Sequence, residues 1–308
     1  MTQPPEQTEI LHTAAPSRAP LGGIACMVGG CALLTLNDGT VKWLSADYPI
    51  GEIMTLRGLF VFLPIALIAW RGGGLRTLEI RNLGAQGARA GLTMLSTVFY
   101  LTALAVMPIA DTIALTFAGP LFLTMLAPSL LGEKVGWRRW TAVIVGFLGV
   151  VVMVRPGTGS LQAIALLPVG AALMGAVRDI ITRRITSHAA TAESSVAILC
   201  FTTLVVTLAG LLTLPFGWRV PTAVDVGLLA CSGLLIGAAH YLLIEAFRFA
   251  EAGLIAPFKY TSIVWAVIFG FLVWGDIPDR WMVAGASLVI GSGLYIFHRE
   301  AVSHTRAP

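Results

Sequence analysis

The sequence predicts an all-α integral membrane protein with ten transmembrane helices. Charged residues make up only 12% of the 308 residues and hydrophobic residues 56%, whereas a soluble domain carries about 25% charged residues. Apolar stretches of about 17–25 residues, the length that crosses a bilayer as a helix, recur along the whole chain. The sequence has no run of segments that alternate between apolar and polar residues, as a membrane β-barrel requires.

Ten apolar spans are separated by short segments that contain turn residues or charges. We predict helices at residues 21–43, 49–70, 84–105, 110–131, 138–155, 161–183, 192–214, 223–247, 253–275 and 281–298. Segment 1–20 is polar and rich in Pro and Thr, and it lacks the basic start and apolar centre of a signal peptide. We therefore expect it to be a disordered cytoplasmic tail, and we expect residues 299–308 to be a cytoplasmic C-terminal tail.

The positions of Lys and Arg predict that both termini face the cytoplasm. With the N-terminus inside, 13 basic residues flank the helices on the cytoplasmic side and 4 on the other, while Arg57, Arg178 and Lys259 lie within helices. Basic residues collect on the cytoplasmic side of membrane proteins, and this also accounts for the net charge of +4. We therefore expect the lipid bilayer, and no nucleic acid, as the surface that the protein contacts.

The sequence indicates no enzyme active site, cofactor or metal centre. It contains no GxSxG or HExxH motif and no glycine-rich phosphate loop after a strand. The cysteines lie in apolar spans without CxxC spacing or nearby histidines, which favours packing over metal binding or disulfides. A lipid-modifying enzyme would need convergent acid, base or metal-ligating side chains, and the sequence shows none. A channel would need pore-lining rings from repeated subunits or a filter, and the sequence shows neither.

The two halves of the chain resemble each other weakly. The segment LLGEKVGWRRW (130–140) after the fourth helix corresponds to VWGDIPDRWMV (273–283) after the ninth, and YLTALAVMPIAD (100–111) corresponds to YLLIEAFRFAEA (241–252). Each half has five helices, so the second half enters the membrane from the opposite side. We predict two inverted repeats, at residues 21–157 and 158–298, with a substrate site near the midplane between them, as in secondary transporters.

The chain has ten predicted helices with short loops, with Gly-Glu after the fourth helix and Gly-Asp after the ninth. Over residues 21–298 this arrangement resembles the EamA type of the drug/metabolite transporter superfamily. Within it, APFKYTSIVWAVIFGFLVWGD (256–276) is similar to the YddG-type exporters of aromatic amino acids, although Asp276 replaces the glutamate of the first half. This resemblance implies a multi-pass protein of the bacterial inner (plasma) membrane. It also implies export of aromatic or other apolar amino acids and related metabolites by alternating access through a central cavity. The alternative is an exporter of drugs, cations or other metabolites with the same fold. We expect the protein to function as a monomer.

Ionisable residues at membrane depth are candidates for function, because inserting them costs several kcal/mol unless they face protein or water. Asp38 and Lys42 share one face of the first helix, and Arg57 lies at a depth similar to that of Asp38. We interpret these three as gating residues or structural ion pairs, with Arg57 as an alternative fork for a substrate carboxylate. Asn37 either faces the cavity and binds substrate or hydrogen-bonds between helices.

The eighth and ninth helices carry the densest polar and aromatic set. Glu245 and Lys259 lie at similar depths on either side of a short turn, so they form an ion pair or together hold the carboxylate and ammonium of a substrate. Pro257 disrupts the start of the ninth helix and leaves backbone groups that need a cavity or protein partner. We predict substrate binding by Asn37, Tyr100, Phe117, His240, Tyr241, Glu245, Lys259, Tyr260 and Trp265. Asp38, Glu245 and His240 are also candidates for carrying a proton, against uniport down the substrate gradient.

Overall fold

The computed structural model describes residues 20–71, 74, 78–80, 82–132, 136–155, 161–186, 195–249 and 255–305. The regular structure in these ranges is entirely helical. The α-helices are α1 (Pro20–Leu44), α2 (Ile50–Arg71), α3 (Leu83–Val106), α4 (Ile109–Thr116), α5 (Gly119–Leu131), α6 (Trp137–Val154), α7 (Leu161–Thr186), α8 (Ser195–Leu211), α9 (Ala223–Phe249), α10 (Thr261–Trp274) and α11 (Arg280–Thr305). Short 3₁₀ turns lie at Leu214–Phe216 and Ala256–Tyr260.

These helices confirm the predicted fold class. Eight of them are long and apolar enough to cross a membrane, with α4 and α5 together forming one crossing, and two shorter apolar stretches occur at Val196–Leu211 and Arg280–Ile296. Together they correspond to the ten predicted spans. The last helix continues to Thr305, beyond the predicted end at residue 298. The predicted tail before residue 20 and the predicted junction between the repeats at residues 157 and 158 lie outside the described residues.

In the described residues two crossings are broken, and a proline lies at each break. Proline lacks an N–H, and its ring clashes with the carbonyl of the residue four positions earlier. Pro120 therefore ends α4 at Thr116, and α5 begins at Gly119. Pro257 lies in the 3₁₀ turn that precedes α10, where the sequence predicted a disrupted helix start. The rings of Phe117 and Tyr260, one at each break, lie 4.6 Å apart.

The contacts between the two halves have the symmetry of inverted repeats. The first-half helix α1 packs along α9 of the second half, and the counterparts of these two helices, α7 and α3, pack along each other. Each of α2, α4 and α6 packs against its own counterpart, which is α8, α10 and α11, respectively. Gly132 and Gly275 end the two broken crossings in the left-handed conformation, with φ of 69° and 71°. Because Phe117 and Tyr260 precede these glycines at the same spacing, the two breaks occupy equivalent positions.

Small residues let the symmetric pairs approach closely, as is common in membrane helices. Where α6 meets α11, a Cβ on Gly285 would lie 2.5 Å from the Gly149 carbonyl oxygen, and a Cβ on Gly149 would lie 2.7 Å from the Gly285 carbonyl oxygen. The obstructing atoms are backbone and cannot rotate away. Gly291 on the same helix has no atom within 4 Å of its Cβ position.

We expect Gly285→Ala to destabilise the folded protein by about 1–3 kcal/mol, because it overpacks a contact between two backbones. Gly291→Ala is the matched control on the same helix and should leave stability unchanged or slightly raised, since alanine has the higher helix propensity. Thermal unfolding midpoints of the two variants in detergent measure the difference. Equal midpoints would contradict the close approach of α6 and α11.

Candidate functional site

A cavity of about 510 Å³ lies between the two halves, beside both helix breaks. It is lined from the first half by α1, α3, α4 and α5 and from the second half by α7, the 3₁₀ turn, α10 and α11. On α7 the lining consists largely of Ala171, Ala172, Gly175 and Ala176, and their small side chains leave this space open. The side chains that bring charge or aromatic surface to the cavity are Asp38, Tyr100, Phe117, Arg178, Asp179, Lys259 and Tyr260.

Asp38, which lines this central cavity, is the centre of a hydrogen-bond network. Its Oδ2 accepts a hydrogen bond of 2.6 Å from the Tyr100 hydroxyl, and its Oδ1 accepts one of 3.2 Å from the Asn37 amide. Asn37 is buried, and its Oδ1 accepts a hydrogen bond of 2.6 Å from Ser232 on α9. The network therefore joins α1 and α3 of the first half to α9 of the second.

Arg57 does not form the direct ion pair with Asp38 that their similar depth predicted. Both residues are described, and no salt bridge of 4.0 Å or less joins them, although the guanidinium acts on the Asp38 carboxylate electrostatically. Arg57 is only 9% exposed and lines a second cavity, whereas Asp38 and Tyr100 line the central cavity. The oxygen atoms of Asp38 are instead bound by Tyr100 and Asn37.

Lys259 is exposed at the wall of the central cavity, with Arg178 and Asp179 nearby in the lining. Arg178 and Asp179 form a salt bridge of 2.9 Å. All three residues belong to the end of the bundle at which α1 begins and α11 ends. Glu245 and Lys259 are both described, and no salt bridge joins them, so the predicted ion pair between them is not formed.

The second cavity, of about 560 Å³, lies between α2, α3, α7, α8 and α9. Its charged lining residues are Arg57, Arg89, Arg178 and Asp179, and the last two also line the central cavity. His240, predicted to bind substrate, lines this second cavity, and its Nδ1 lies 2.8 Å from the Ile236 carbonyl oxygen.

The other predicted substrate-binding residues divide by position. Tyr100, Phe117, Lys259 and Tyr260 line the central cavity. Asn37 lies behind Asp38, one layer from the cavity. Tyr241 is 50% exposed, and Trp265 packs against Met27 and Cys31 with its ring stacked on Phe269. Neither of these two aromatic residues, nor Glu245, is among the residues that line either cavity.

Several hydroxyl side chains in the cavities carry no recognisable signal in the sequence. Thr35, Ser96, Thr116, Thr124 and Ser262 line the central cavity. Ser and Thr commonly bond the carbonyl one turn earlier in membrane helices, as Thr35 and Thr124 do here. They occur on lipid-facing and cavity-facing surfaces alike, so composition does not single them out.

At the opposite end of the bundle, Lys42 ties three helices together. Its Nζ donates hydrogen bonds to the carbonyl oxygens of Met107 (2.5 Å) and Leu104 (3.4 Å), where α3 ends. The same ammonium lies 5.7 Å from the ring centroid of Trp274, where α10 ends. Nearby, Arg155 and Asp279 form a salt bridge between the end of α6 and the segment before α11. Lys42 therefore bonds backbone carbonyls rather than Asp38.

Comparisons with known proteins give a consistent family. The model of the EamA-like transporter family matches residues 21–155. A riboflavin transporter of Rhizobium johnstonii is 30% identical over 92% of this chain and 93% of its own length. An S-adenosylmethionine uptake transporter of Rickettsia prowazekii is 27% identical over 92% of this chain and 95% of its own. A pseudopaline exporter of Pseudomonas aeruginosa is 26% identical over 87% and 93%, respectively.

One solved crystal structure overlays 92% of this chain and 99% of its own chain with a TM-score of 0.61 at 16% sequence identity. At that identity the likeness shows the fold alone.

Proposed function

We propose a substrate class from one premise: this chain belongs to the EamA-like transporter family, within the drug/metabolite transporter superfamily, and is a multi-pass membrane transporter. The proposed substrate is a small metabolite with a planar ring, and the part that the central cavity holds carries no net charge; riboflavin is the first candidate. The observation that carries this proposal is the central cavity, in which the rings of Tyr100, Phe117 and Tyr260 lie beside two acidic and two basic residues.

The balance of charges in the central cavity restricts the class of substrate that it can hold. The charged residues that line the described cavity are Asp38, Asp179, Arg178 and Lys259, whose formal charges cancel. A polyanion such as a nucleotide sugar would leave part of its charge uncompensated at membrane depth, and so would a polycation. A neutral or zwitterionic molecule avoids that cost. The hydroxyl and amide groups of a flavin can hydrogen-bond to Asp38 and Lys259 without adding charge.

Size and aromatic surface support a molecule of flavin dimensions. A volume of about 510 Å³ falls within the range of roughly 300–1,000 Å³ that encloses drug-sized ligands. Phe117 and Tyr260 lie in contact at the two breaks, and each ring that stacks on a substrate contributes about 0.5–1.5 kcal/mol beyond burial. Relatives named as riboflavin transporters support the same choice.

An aromatic amino acid is the second candidate. Asp38 and Lys259 carry opposite charges in one cavity, so they could hold the ammonium and the carboxylate while the rings hold the side chain. Relatives carry names of both uptake transporters and an exporter. Outward flux therefore stays a prediction, as do the plasma-membrane location with cytoplasmic termini and the monomeric state.

Uptake into proteoliposomes tests this assignment. We expect the wild-type protein to move riboflavin in preference to tryptophan, threonine and an organic cation. Tyr260→Leu should reduce riboflavin transport by up to about tenfold, the loss of one stacking contact. Tyr241→Leu is the matched control, because Tyr241 is half exposed and outside both cavities. Transport of the cation alone would overturn the proposal, and equal losses in the two tyrosine variants would exclude a role for the central cavity.

A further inference from the structure

We propose that the second cavity is an oxyanion site, centred on Arg57 and Thr207, that receives a carboxylate or phosphate group. This inference rests on the proposed function, because it extends the substrate from a neutral flavin to one that carries an acidic group. It assigns a role to a cavity of about 560 Å³ that the central cavity leaves unexplained.

Arg57 is the first observation. It is about nine-tenths buried, it lines the cavity, and it has no hydrogen bond or salt bridge to any described residue. A guanidinium at membrane depth is costly without a partner. Its planar fork of N–H donors matches the oxygens of a carboxylate or phosphate. A bound oxyanion would supply the missing partner.

The nearest acidic residue does not occupy these donors. Asp38 acts on Arg57 electrostatically, but its two oxygens already accept hydrogen bonds from Tyr100 and Asn37. Asp179, the acidic residue in the lining, is paired with Arg178. Arg57 is therefore balanced in part by Asp38, and it lines the cavity without a hydrogen bond to a described residue.

Thr207 is the second observation. Its hydroxyl oxygen is buried, lines the same cavity and has no hydrogen-bond partner among the described residues. It lies against Gly58, where any Cβ would collide with it, so the glycine next to Arg57 keeps room for the hydroxyl. An oxyanion held by the Arg57 fork would also satisfy the Thr207 hydroxyl.

The charge in this compartment favours an anion. Arg89 adds a further guanidinium, which the hydroxyls of Thr182 and Thr202 hold at 2.9 and 3.1 Å. Arg178 and Asp179 form a salt bridge, so Arg57 and Arg89 are the other charged residues among the described residues of this lining. The two cavities share Arg178 and Asp179. The two cavities therefore adjoin at this salt bridge, and the proposal places the ring of one molecule in the central cavity and its acidic group in the second cavity.

Riboflavin and flavin mononucleotide provide a matched pair, because they share a ring and differ by a phosphate. We expect flavin fluorescence quenching on the purified protein to give about tenfold tighter binding of the mononucleotide. Inorganic phosphate should compete with the mononucleotide and leave riboflavin binding unchanged. Arg57→Met and Thr207→Val should each reduce the difference between the flavins, and Arg57→Lys should keep part of it. Arg219→Met, at the opposite end of the bundle, is the control.

The outcomes separate this site from the proposed substrate. Equal binding of the two flavins, without an effect of phosphate, would overturn the oxyanion site and leave the flavin proposal standing. If neither flavin binds, but phosphate raises the melting temperature of the wild type and not of Arg57→Met, the oxyanion site stands and the flavin substrate falls. A response to neither flavin nor phosphate overturns both. If Arg57→Met does not fold, phosphate competition on the wild-type protein decides.

Discussion

Replacing Asp38 by Asn is expected to reduce transport by about 10- to 100-fold in a protein that still folds. The amide keeps the shape of the side chain and can still accept a hydrogen bond from Tyr100. It loses the negative charge that acts on Arg57 and the stronger, charge-assisted bonds to Tyr100 and Asn37. Hydrogen bonds to a charged group contribute about 1.5–3 kcal/mol, and each 1.4 kcal/mol corresponds to a factor of ten.

The position of Asp38 explains why the loss falls on transport. It lies at the inner part of the central cavity, and through Asn37 and Ser232 it links the two halves, whose relative movement would expose the cavity to alternate sides. Tyr100→Phe removes one bond from the same network and should cost less than Asp38→Asn. Asp47→Asn, in an exposed loop at the opposite end, is the matched control. Riboflavin uptake into proteoliposomes, normalised to folded protein, measures all three, and full activity of Asp38→Asn would refute the role of this carboxylate.

The helices of this protein are predictable from its sequence because lipid imposes one strong rule on them. A crossing needs about twenty apolar residues with every backbone group bonded within the segment, so the first predicted span, 21–43, lies close to the observed Pro20–Leu44. The break before α10 was predictable from Pro257. The break between α4 and α5 was missed, although Pro120 carries the same signal.

The rotation of each helix about its axis was not predictable. In a soluble protein the apolar stripe marks the buried face, but here lipid and protein interior are both apolar and the stripe disappears. Tyr260 lines the central cavity while Trp265 on the following helix packs against α1. His240 lines the second cavity, whereas its neighbour Tyr241 is half exposed.

Helix rotation also decides ion pairing: the sequence left open whether Asp38–Arg57 and Glu245–Lys259 form ion pairs, and no salt bridge joins either of these described pairs. Equal depth along two helices is necessary for a pair, and Asp38 with Arg57 and Glu245 with Lys259 satisfy it. A salt bridge also needs both side chains to face each other, which depends on rotation and on competing partners such as Tyr100. Substrate class depends on the resulting arrangement. Opposite charges and aromatic rings in the sequence fit an aromatic amino acid, but the observed cavity size and charge balance also fit a flavin.

Lys42→Met is expected to shift the protein toward opening at the end of the bundle where α1, α3 and α10 end. Lys42 holds the end of α3 to α1 through two carbonyl oxygens and lies over Trp274 at the end of α10. Methionine fills similar space but donates no hydrogen bond, so the closed state loses about 1.5–3 kcal/mol. The ratio of open to closed protein should then rise roughly ten- to a hundredfold.

The neighbouring salt bridge contributes less than Lys42 to this closure. The side chains of Arg155 and Asp279 are 33% and 54% exposed, and exposed pairs contribute at most about 1 kcal/mol. Burial raises the pKa of Asp279, but hydrogen bonds from Met282 and Arg155 outweigh it and hold that pKa below its ordinary value. A depressed carboxylate pKa preserves the pair at neutral pH and loses it only as the pH falls through the acidic range. At neutral pH the pair is therefore intact in the wild type and in the Lys42 variants alike. Its contribution is too small to replace the hydrogen bonds of Lys42.

Spin labels on opposite loops measure the shift directly. Cysteines at Ala46 and Ile277, both exposed at the end of the bundle where Lys42 lies, would report the opening as a longer inter-label distance in a background without the native cysteines. Lys42→Met should populate the longer distance, whereas Lys42→Arg keeps the donors and should retain the short one. An unchanged distance distribution in Lys42→Met would mean that the apolar contacts between the helix ends hold this side closed. Lys42 would then not control the opening of this end.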